Sequence, residues 1–263
     1  MAVLPPCLLV TRPAAQAGDW VQRLQALGVP ARALPLIAIA APADMSAVHQ
    51  AWAELPGRNL VVFVSPSAVE QFFAQAPGGA RWPNGVRVAT PGPGTDAALA
   101  RAGVPEALRL RPADDAEQLD SESLWAVLRG EPWARRRVLI VRGEGGRPWL
   151  AERLTEAGAV VDFLGAYRRG LPVLDPADTT LLHTVLETAG EAVWLFSSSQ
   201  AIDHLASLAQ AQGLRPDWAQ QVAIVTHPRI GERARALGLR RVLGSHPAPD
   251  AVAAAWARRR DAP

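Results

Sequence analysis

The 263-residue chain contains no lysine: all 27 of its basic residues are arginine. That absence removes Schiff-base chemistry on a carbonyl substrate or on pyridoxal phosphate, and it removes the phosphate-gripping lysine of a P-loop. Cysteine is nearly absent too. The single Cys7 rules out an internal disulfide and any cysteine-rich metal site, and its apolar surroundings make it a buried structural thiol rather than a nucleophile. No apolar run approaches the roughly 20 residues of a membrane span, so no membrane partner is expected. The apolar start, Ala2 to Val10, lacks a basic leader segment and runs into strand-like sequence, so it is not read as a signal peptide and a cytoplasmic location is expected. Histidines are scattered. His49, His183 and His204 fall on helical patterns, and His227 and His246 lie near strand ends without ligand spacing, so no metal is expected. A sequence pI near 9.4 suggests nucleic-acid binding, but the formal charge is only +2, because arginine stays charged far above neutrality. Arg135-Arg136-Arg137 and Arg258-Arg259-Arg260 are read as solvated ends of elements, and no nucleic-acid partner is expected.

What is present is a repeat. Leu8 to Thr11 reads as a buried strand followed by a helix with Trp20, Val21, Leu24 and Leu27 on one face and Gly28 as its stop. The unit recurs as Val138 to Val141, then Trp149, Leu150 and Leu154, then Gly158, with the two glycines 130 positions apart. A second pair joins Val61–Ser65 and its helix to Val193–Ser198 and its helix, 132 positions apart; a third joins Val86–Ala89 to Val222–Val225, 136 apart. Short, continuously apolar strands alternating with amphipathic helices predict an α/β fold of two parallel-sheet domains, with a cleft between them. Periodicity alone leaves open whether the domains are the two sequence halves or whether the chain crosses over and returns.

Ligands of such sheets sit beyond the carboxyl ends of the strands. Those ends carry Ser65-Pro66-Ser67, Pro91-Gly92-Pro93-Gly94-Thr95, Arg142-Gly143-Glu144-Gly145-Gly146-Arg147, Ser197-Ser198-Ser199-Gln200 and Thr226-His227-Pro228-Arg229. Their backbone N–H groups at helix starts suit anions. Ser65 and Ser198 are first of all helix N-caps, a role compatible with ligand contact. Gly143-x-Gly145 with Asp162 nineteen positions on resembles a dinucleotide fingerprint, but Pro148 occupies the third glycine position, so no nucleotide cofactor is expected. Tyr167 is the sole tyrosine; its segment aligns with Ala33–Ile39, where Ile37 holds the equivalent place. A phenol there can donate to a substrate oxygen as a weak general acid; the competing reading is a packing residue.

Taken in order, Leu9-Val10-Thr11-Arg12-Pro13, Phe63-Val64-Ser65-Pro66-Ser67, Gly92-Pro93-Gly94-Thr95, Asp120-Ser121-Glu122-Ser123-Leu124, Val141-Arg142-Gly143, Gly146-Arg147, Ala166-Tyr167-Arg168 and Phe196-Ser197-Ser198 resemble the uroporphyrinogen-III synthase family across nearly the whole chain. The resemblance implies two flavodoxin-like domains joined by a two-strand linker: residues 1–36 and 169–263 in one, 40–165 in the other, with linkers at about 34–39 and 164–169. It implies a cofactor-free lyase acting on hydroxymethylbilane, a linear tetrapyrrole with eight carboxylates that closes with inversion of ring D and loss of water. It also implies a monomer whose partners are that substrate and, transiently, hydroxymethylbilane synthase. Tyr167 is the expected catalytic residue, against the departing hydroxyl. Arg12, Ser65, Pro66, Thr95, Arg142, Gly143, Arg147, Arg168, Ser197, Ser198, Thr226 and Arg229 are the expected substrate contacts. One departure stands out: His227-Pro228-Arg229-Ile230 replaces the family's usual Gly-Pro-Thr-Thr turn. The alternatives are a two-domain sensor closing on a small anion, and a nucleotide-dependent enzyme built on the Gly143 loop.

Overall fold

The computed structural model describes residues 5–113, 116, 118–145, 147–188 and 192–260. Gly146 of the arginine loop and the first residues of the apolar N-terminal stretch lie outside them. The chain divides into two compact units, one formed by Met1–Ala38 with Gly170–Pro263 and the other by Ile39–Arg169.

In chain order the elements begin with β1 (Cys7–Val10), α1 (Ala14–Ala26) and β2 (Ala31–Ala33). There follow β3 (Ala38–Ala40), α2 (Ser46–Glu54), β4 (Leu60–Phe63), α3 (Pro66–Phe73), β5 (Arg87–Ala89), α4 (Pro93–Arg101), β6 (Arg109–Leu110), α5 (Ser121–Leu128), β7 (Arg137–Gly143), α6 (Trp149–Glu156) and β8 (Val160–Gly170). The chain then closes the first unit with α7 (Pro176–Glu187), β9 (Ala192–Phe196), α8 (Ser199–Ala211), β10 (Val222–Val225), α9 (Pro228–Leu237), β11 (Arg241–Gly244) and α10 (Pro249–Ala257).

The first unit's sheet runs β11-β10-β9-β1-β2, every pair parallel. The second runs β3-β8-β7-β4-β5-β6, parallel from β8 through β6. Leaving β3 aside, β8-β7-β4-β5-β6 corresponds strand for strand to β2-β1-β9-β10-β11. The two units therefore share one doubly wound order, entered by the chain at different strands, and the three sequence offsets join the matching strands β1/β7, β9/β4 and β10/β5.

Strands buried on both faces must be apolar at every position. In β4, Leu60 and Val62 enter the core with Leu124, Leu128 and Ile140, while Val61 and Phe63 enter the one with Trp52, Phe72 and Trp82. Trp52 stacks on Phe72 with centroids 4.6 Å apart and donates its indole N–H to the Phe72 carbonyl. Helix α1 buries Ala17, Trp20 and Leu24, a helical spacing. Leu27, expected on that face, is instead 51% exposed. The helix ends there: Gly28 turns the chain at φ 77°, open to glycine without a Cβ penalty, and Val29 takes the buried position. Residues 34–37 form no strand. Pro35 has no N–H, and only the alternate amides of Leu34 and Leu36 reach the carbonyls of Val10 and Thr11. By contrast, 164–169 lies within the continuous strand β8.

Candidate active site

In each unit the strand order reverses between two central neighbours, β4 and β7 in one and β1 and β9 in the other. Ser65 and Pro66 follow β4, Arg12 follows β1, Ser197 and Ser198 follow β9, and Arg142 and Gly143 end β7, while Thr95 follows β5, Thr226 and Arg229 follow β10, and Tyr167 and Arg168 lie within β8.

In the second unit, Ser65 follows β4 and caps α3, its Oγ accepting from the Ala68 N–H at 3.2 Å, with Pro66 in the first turn, where a missing N–H costs nothing. Tyr167 is fully buried, at 0% exposure, in the aromatic core of this unit. Strict alternation along β8 would send Tyr167 to the opposite face from Leu164 and Ala166, yet all three share one core. A register irregularity explains it: Arg142 pairs with Gly165 but Gly143 with Tyr167, so one extra residue in β8 flips the parity. The ring then lies over Gly143, where a Cβ would stand 2.9 Å from both Cε2 and Cζ. The phenol oxygen is 2.9 Å from Ser65 Oγ and accepts from Arg169 Nη2 at 2.7 Å. The phenol is thus packed and hydrogen-bonded at once, where the two sequence readings were alternatives.

The other sequence-predicted residues of this unit each have their own surroundings. Arg142 lies with its guanidinium 4.0 Å from the Phe163 ring centroid. Arg168 donates to the Ala41 carbonyl at 3.1 Å and comes within 4.0 Å of Glu144. Arg147 is forked onto Glu122 at 2.8 and 3.2 Å, so its charge is already matched. Thr95 is buried in the first turn of α4. Asp162, the acidic residue of the dinucleotide-like spacing, pairs with the buried Arg58. The Gly143 Cα faces a tyrosine ring, so neither element of that spacing is laid out for a nucleotide.

In the first unit, Arg12 follows β1 and Ser197 follows β9; the β1/β9 register pairs Val10 with Leu195, which carried two residues on brings Arg12 level with Ser197. Both hold a buried polar atom without a hydrogen-bond partner among the described residues, Arg12 Nε and Ser197 Oγ. Arg12 is half-buried, its guanidinium 4.2 Å from the Trp20 ring centroid. Burial, with repulsion from Arg23 adding to it, pushes its pKa down to about 10. Ser198 caps α8 through the Gln200 N–H, and the Thr226 N–H bonds the Phe196 carbonyl. Arg229 is exposed.

Three features escaped the sequence reading. Thr11 Oγ1 donates to the Leu195 carbonyl at 2.7 Å, tying β1 to β9 beside Arg12. Thr90, at the end of β5, is wholly buried with its hydroxyl unpartnered among the described residues. His227 caps α9, its Nδ1 accepting from the Arg229 N–H at 3.1 Å. The last was open to detection, since His227-Pro228 occupies the same slot as Ser65-Pro66. Among the described residues, no three His, Cys, Asp or Glu side chains converge as a metal site, and no helix is long and apolar enough to cross a membrane.

Residues 18–254 match the family model described as uroporphyrinogen-III synthase HemD. The chain is 32% identical over 233 residues to the uroporphyrinogen-III synthase of Salmonella typhimurium and 30% identical over 236 to that of Escherichia coli, in each case over 88% of this chain and 91% of the relative. Two solved structures share the fold at low identity. Uroporphyrinogen-III synthetase from Helicobacter pylori superposes with a TM-score of 0.60 at 13% identity, covering 96% of this chain and 98% of that one. A mutant uroporphyrinogen III synthase from Thermus thermophilus gives 0.57 at 17% identity, covering 97% and 99%. With the family model spanning most of its length and two relatives at or above 30% identity, the chain belongs to the uroporphyrinogen-III synthase family.

Proposed function

We propose that this chain forms uroporphyrinogen III by cyclising hydroxymethylbilane with inversion of ring D and loss of water, using the strand-end groups of its two units. Family membership supplies the activity and disfavours a non-enzymatic anion sensor. The observation that carries the residue assignment is Arg12, a half-buried cation whose Nε is buried without a hydrogen-bond partner among the described residues. Such a charge is costly to the fold until an anion meets it, and the bilane brings eight carboxylates.

Left alone, the bilane closes without inversion to the type I isomer, so the protein must steer as well as accelerate. In the family's reaction, loss of the hydroxyl gives an azafulvenium. Ring D attacks it at its substituted carbon to form a spiro intermediate, which fragments and recloses. Arg12, Arg142, Arg168 and Arg229 would bind carboxylates and hold the bilane in the conformation from which that attack is favoured, with the hydroxyls of Ser65, Thr95, Ser197, Ser198 and Thr226 as supporting donors. The backbone beside Pro66 would contribute N–H groups at the start of α3. Tyr167 would assist departure of the hydroxyl; because that step is intrinsically easy, Tyr167→Phe should lower turnover by less than about 100-fold, the low end of general-acid effects. The reading includes a cytoplasmic monomer that receives the bilane from hydroxymethylbilane synthase, since a substrate that closes unaided gains from quick transfer. Feeding the purified protein freshly generated hydroxymethylbilane and measuring the ratio of type III to type I product tests it. A ratio equal to the protein-free control sinks the proposal.

A further inference from the structure

The hydrogen-bond string around Tyr167 has a direction that its distances and donor inventory determine. Arg169 carries only donors, so its Nη2 contact at 2.7 Å makes the phenol oxygen an acceptor. The phenol's own hydrogen sits on a fully buried side chain, where an unsatisfied donor is expensive. Ser65 Oγ, at 2.9 Å, is the acceptor within reach among the described residues, so the phenol donates to it. Ser65 Oγ also accepts the Ala68 N–H at 3.2 Å. Both of its lone pairs are then filled, and its hydrogen is left over. Ser65, unlike Tyr167, is only half-buried and sits at the carboxyl end of β4, beside the reversal of strand order.

We infer that Ser65 is the catalytic residue that presents a donor to the departing hydroxyl, with Tyr167 a positioning residue behind it in the string Arg169 to Tyr167 to Ser65 to substrate. The inference rests on the synthase reading and refines it. Each bond in such a string polarises the next, so the serine is a stronger donor than an isolated one. The C–O bond breaks with its electron pair going to oxygen, Ser65 passes its proton to that oxygen to form water, and Tyr167 passes its own to Ser65. The pyrrole nitrogen's lone pair fills the deficit at carbon, giving the azafulvenium. The phenolate left against the Arg169 guanidinium regains a proton from the one released when the last ring recovers aromaticity. Ser65 also caps α3, so a purely structural account of it must be separable.

A double-mutant cycle on the full chain separates them, with kcat and KM for type III formation measured on fresh hydroxymethylbilane. Ser65→Ala and Tyr167→Phe should each lower kcat by about 10- to 100-fold with KM little changed. The double variant should fall no more than about 2-fold below the slower single one, because both break the same string. Ser65→Thr, which keeps hydroxyl and cap, should recover kcat to within about 3-fold of the unaltered chain. If Ser65→Ala fails to fold, Ser65→Asn keeps a capping oxygen without an O–H and should show the same loss. Losses that multiply in the double variant, or Ser65→Asn at full kcat while Tyr167→Phe is slow, would overturn the inference by making the phenol act on substrate directly. An unaltered chain giving only the control isomer ratio would instead overturn the synthase reading itself.

Discussion

Replacing Gly143 by alanine tests the seat of the tyrosine ring. Gly143 closes β7 with an ordinary negative-side backbone, since its φ is not among the positive ones, so alanine meets no conformational penalty there. The cost is steric. The new Cβ would stand 2.9 Å from Tyr167 Cε2 and Cζ and 3.2 Å from the phenol oxygen, against a comfortable carbon contact of about 3.5–4.0 Å. The ring must therefore retreat by roughly 0.6 Å or more. Moving the phenol that far stretches its 2.9 Å bond to Ser65 to the edge of hydrogen-bond range. Overpacking of this size costs about 1–3 kcal/mol, a drop in melting temperature of roughly 3–10 °C. Turnover should fall to the level of Tyr167→Phe. The internal control is Gly165→Ala on the neighbouring strand, whose Cβ would meet only Glu144 Cγ at 3.5 Å and should be tolerated. Thermal unfolding and type III formation, measured on both variants, decide the matter. A Gly143→Ala protein with unchanged melting temperature and unchanged turnover would refute the reasoning.

Two further outcomes follow from charge. Arg12 has a folded pKa of about 10, below the ordinary arginine value, so the unfolded chain holds that proton more tightly and stability should climb only as pH rises from about 10 towards that ordinary value. At neutral pH the charge opposes folding. Arg12→Met should therefore raise the melting temperature without ligand while raising KM by about 10-fold or more, the loss of one charged hydrogen bond; an unchanged KM would remove Arg12 from substrate binding. Glu131 shows the opposite sign. Its carboxyl is held below the usual range, first by the hydrogen bonds of Arg87, which forks onto it at 2.7 and 2.6 Å. Its contribution is present above the ordinary carboxylate pKa and lost as pH falls through the lowered one. Because both side chains are about a third exposed, at 34% and 35%, Glu131→Gln should cost under about 1 kcal/mol at pH 7 and less at about pH 3, as the pH falls towards the lowered pKa. Urea midpoints at the two pH values check this, and equal losses at both would show that the ion pair is not the cause.

Much of the fold is legible in the sequence, because strands buried on both faces have to be apolar throughout and the glycine and serine turns mark where they end. Val61–Ser65 and Val193–Ser198 declared themselves as matching units for that reason, and Ser65 and Ser198 as caps from the residues after them. The same local rules misled at Leu27, where the helical period extends one residue past the helix; at 34–37 it was the family resemblance that implied a linker strand, and Pro35 interrupts it. Pairing of side chains far apart in the chain was out of reach. Nothing local says that Arg147 places its charge on Glu122, or that Asp162 meets Arg58.

By itself, then, the sequence determined the strand–helix repeats, the strand-end turns and the family resemblance, all of which rest on residues close together in the chain or on their order along it. Only the tertiary structure decided what Tyr167 is. Its core position depends on one irregular residue in the β7/β8 register, and its partners Ser65 and Gly143 come from strands 102 and 24 positions away. A shift of one residue reverses which face a side chain takes, so the site at the end of β8 is a property of strand pairing that no local pattern carries.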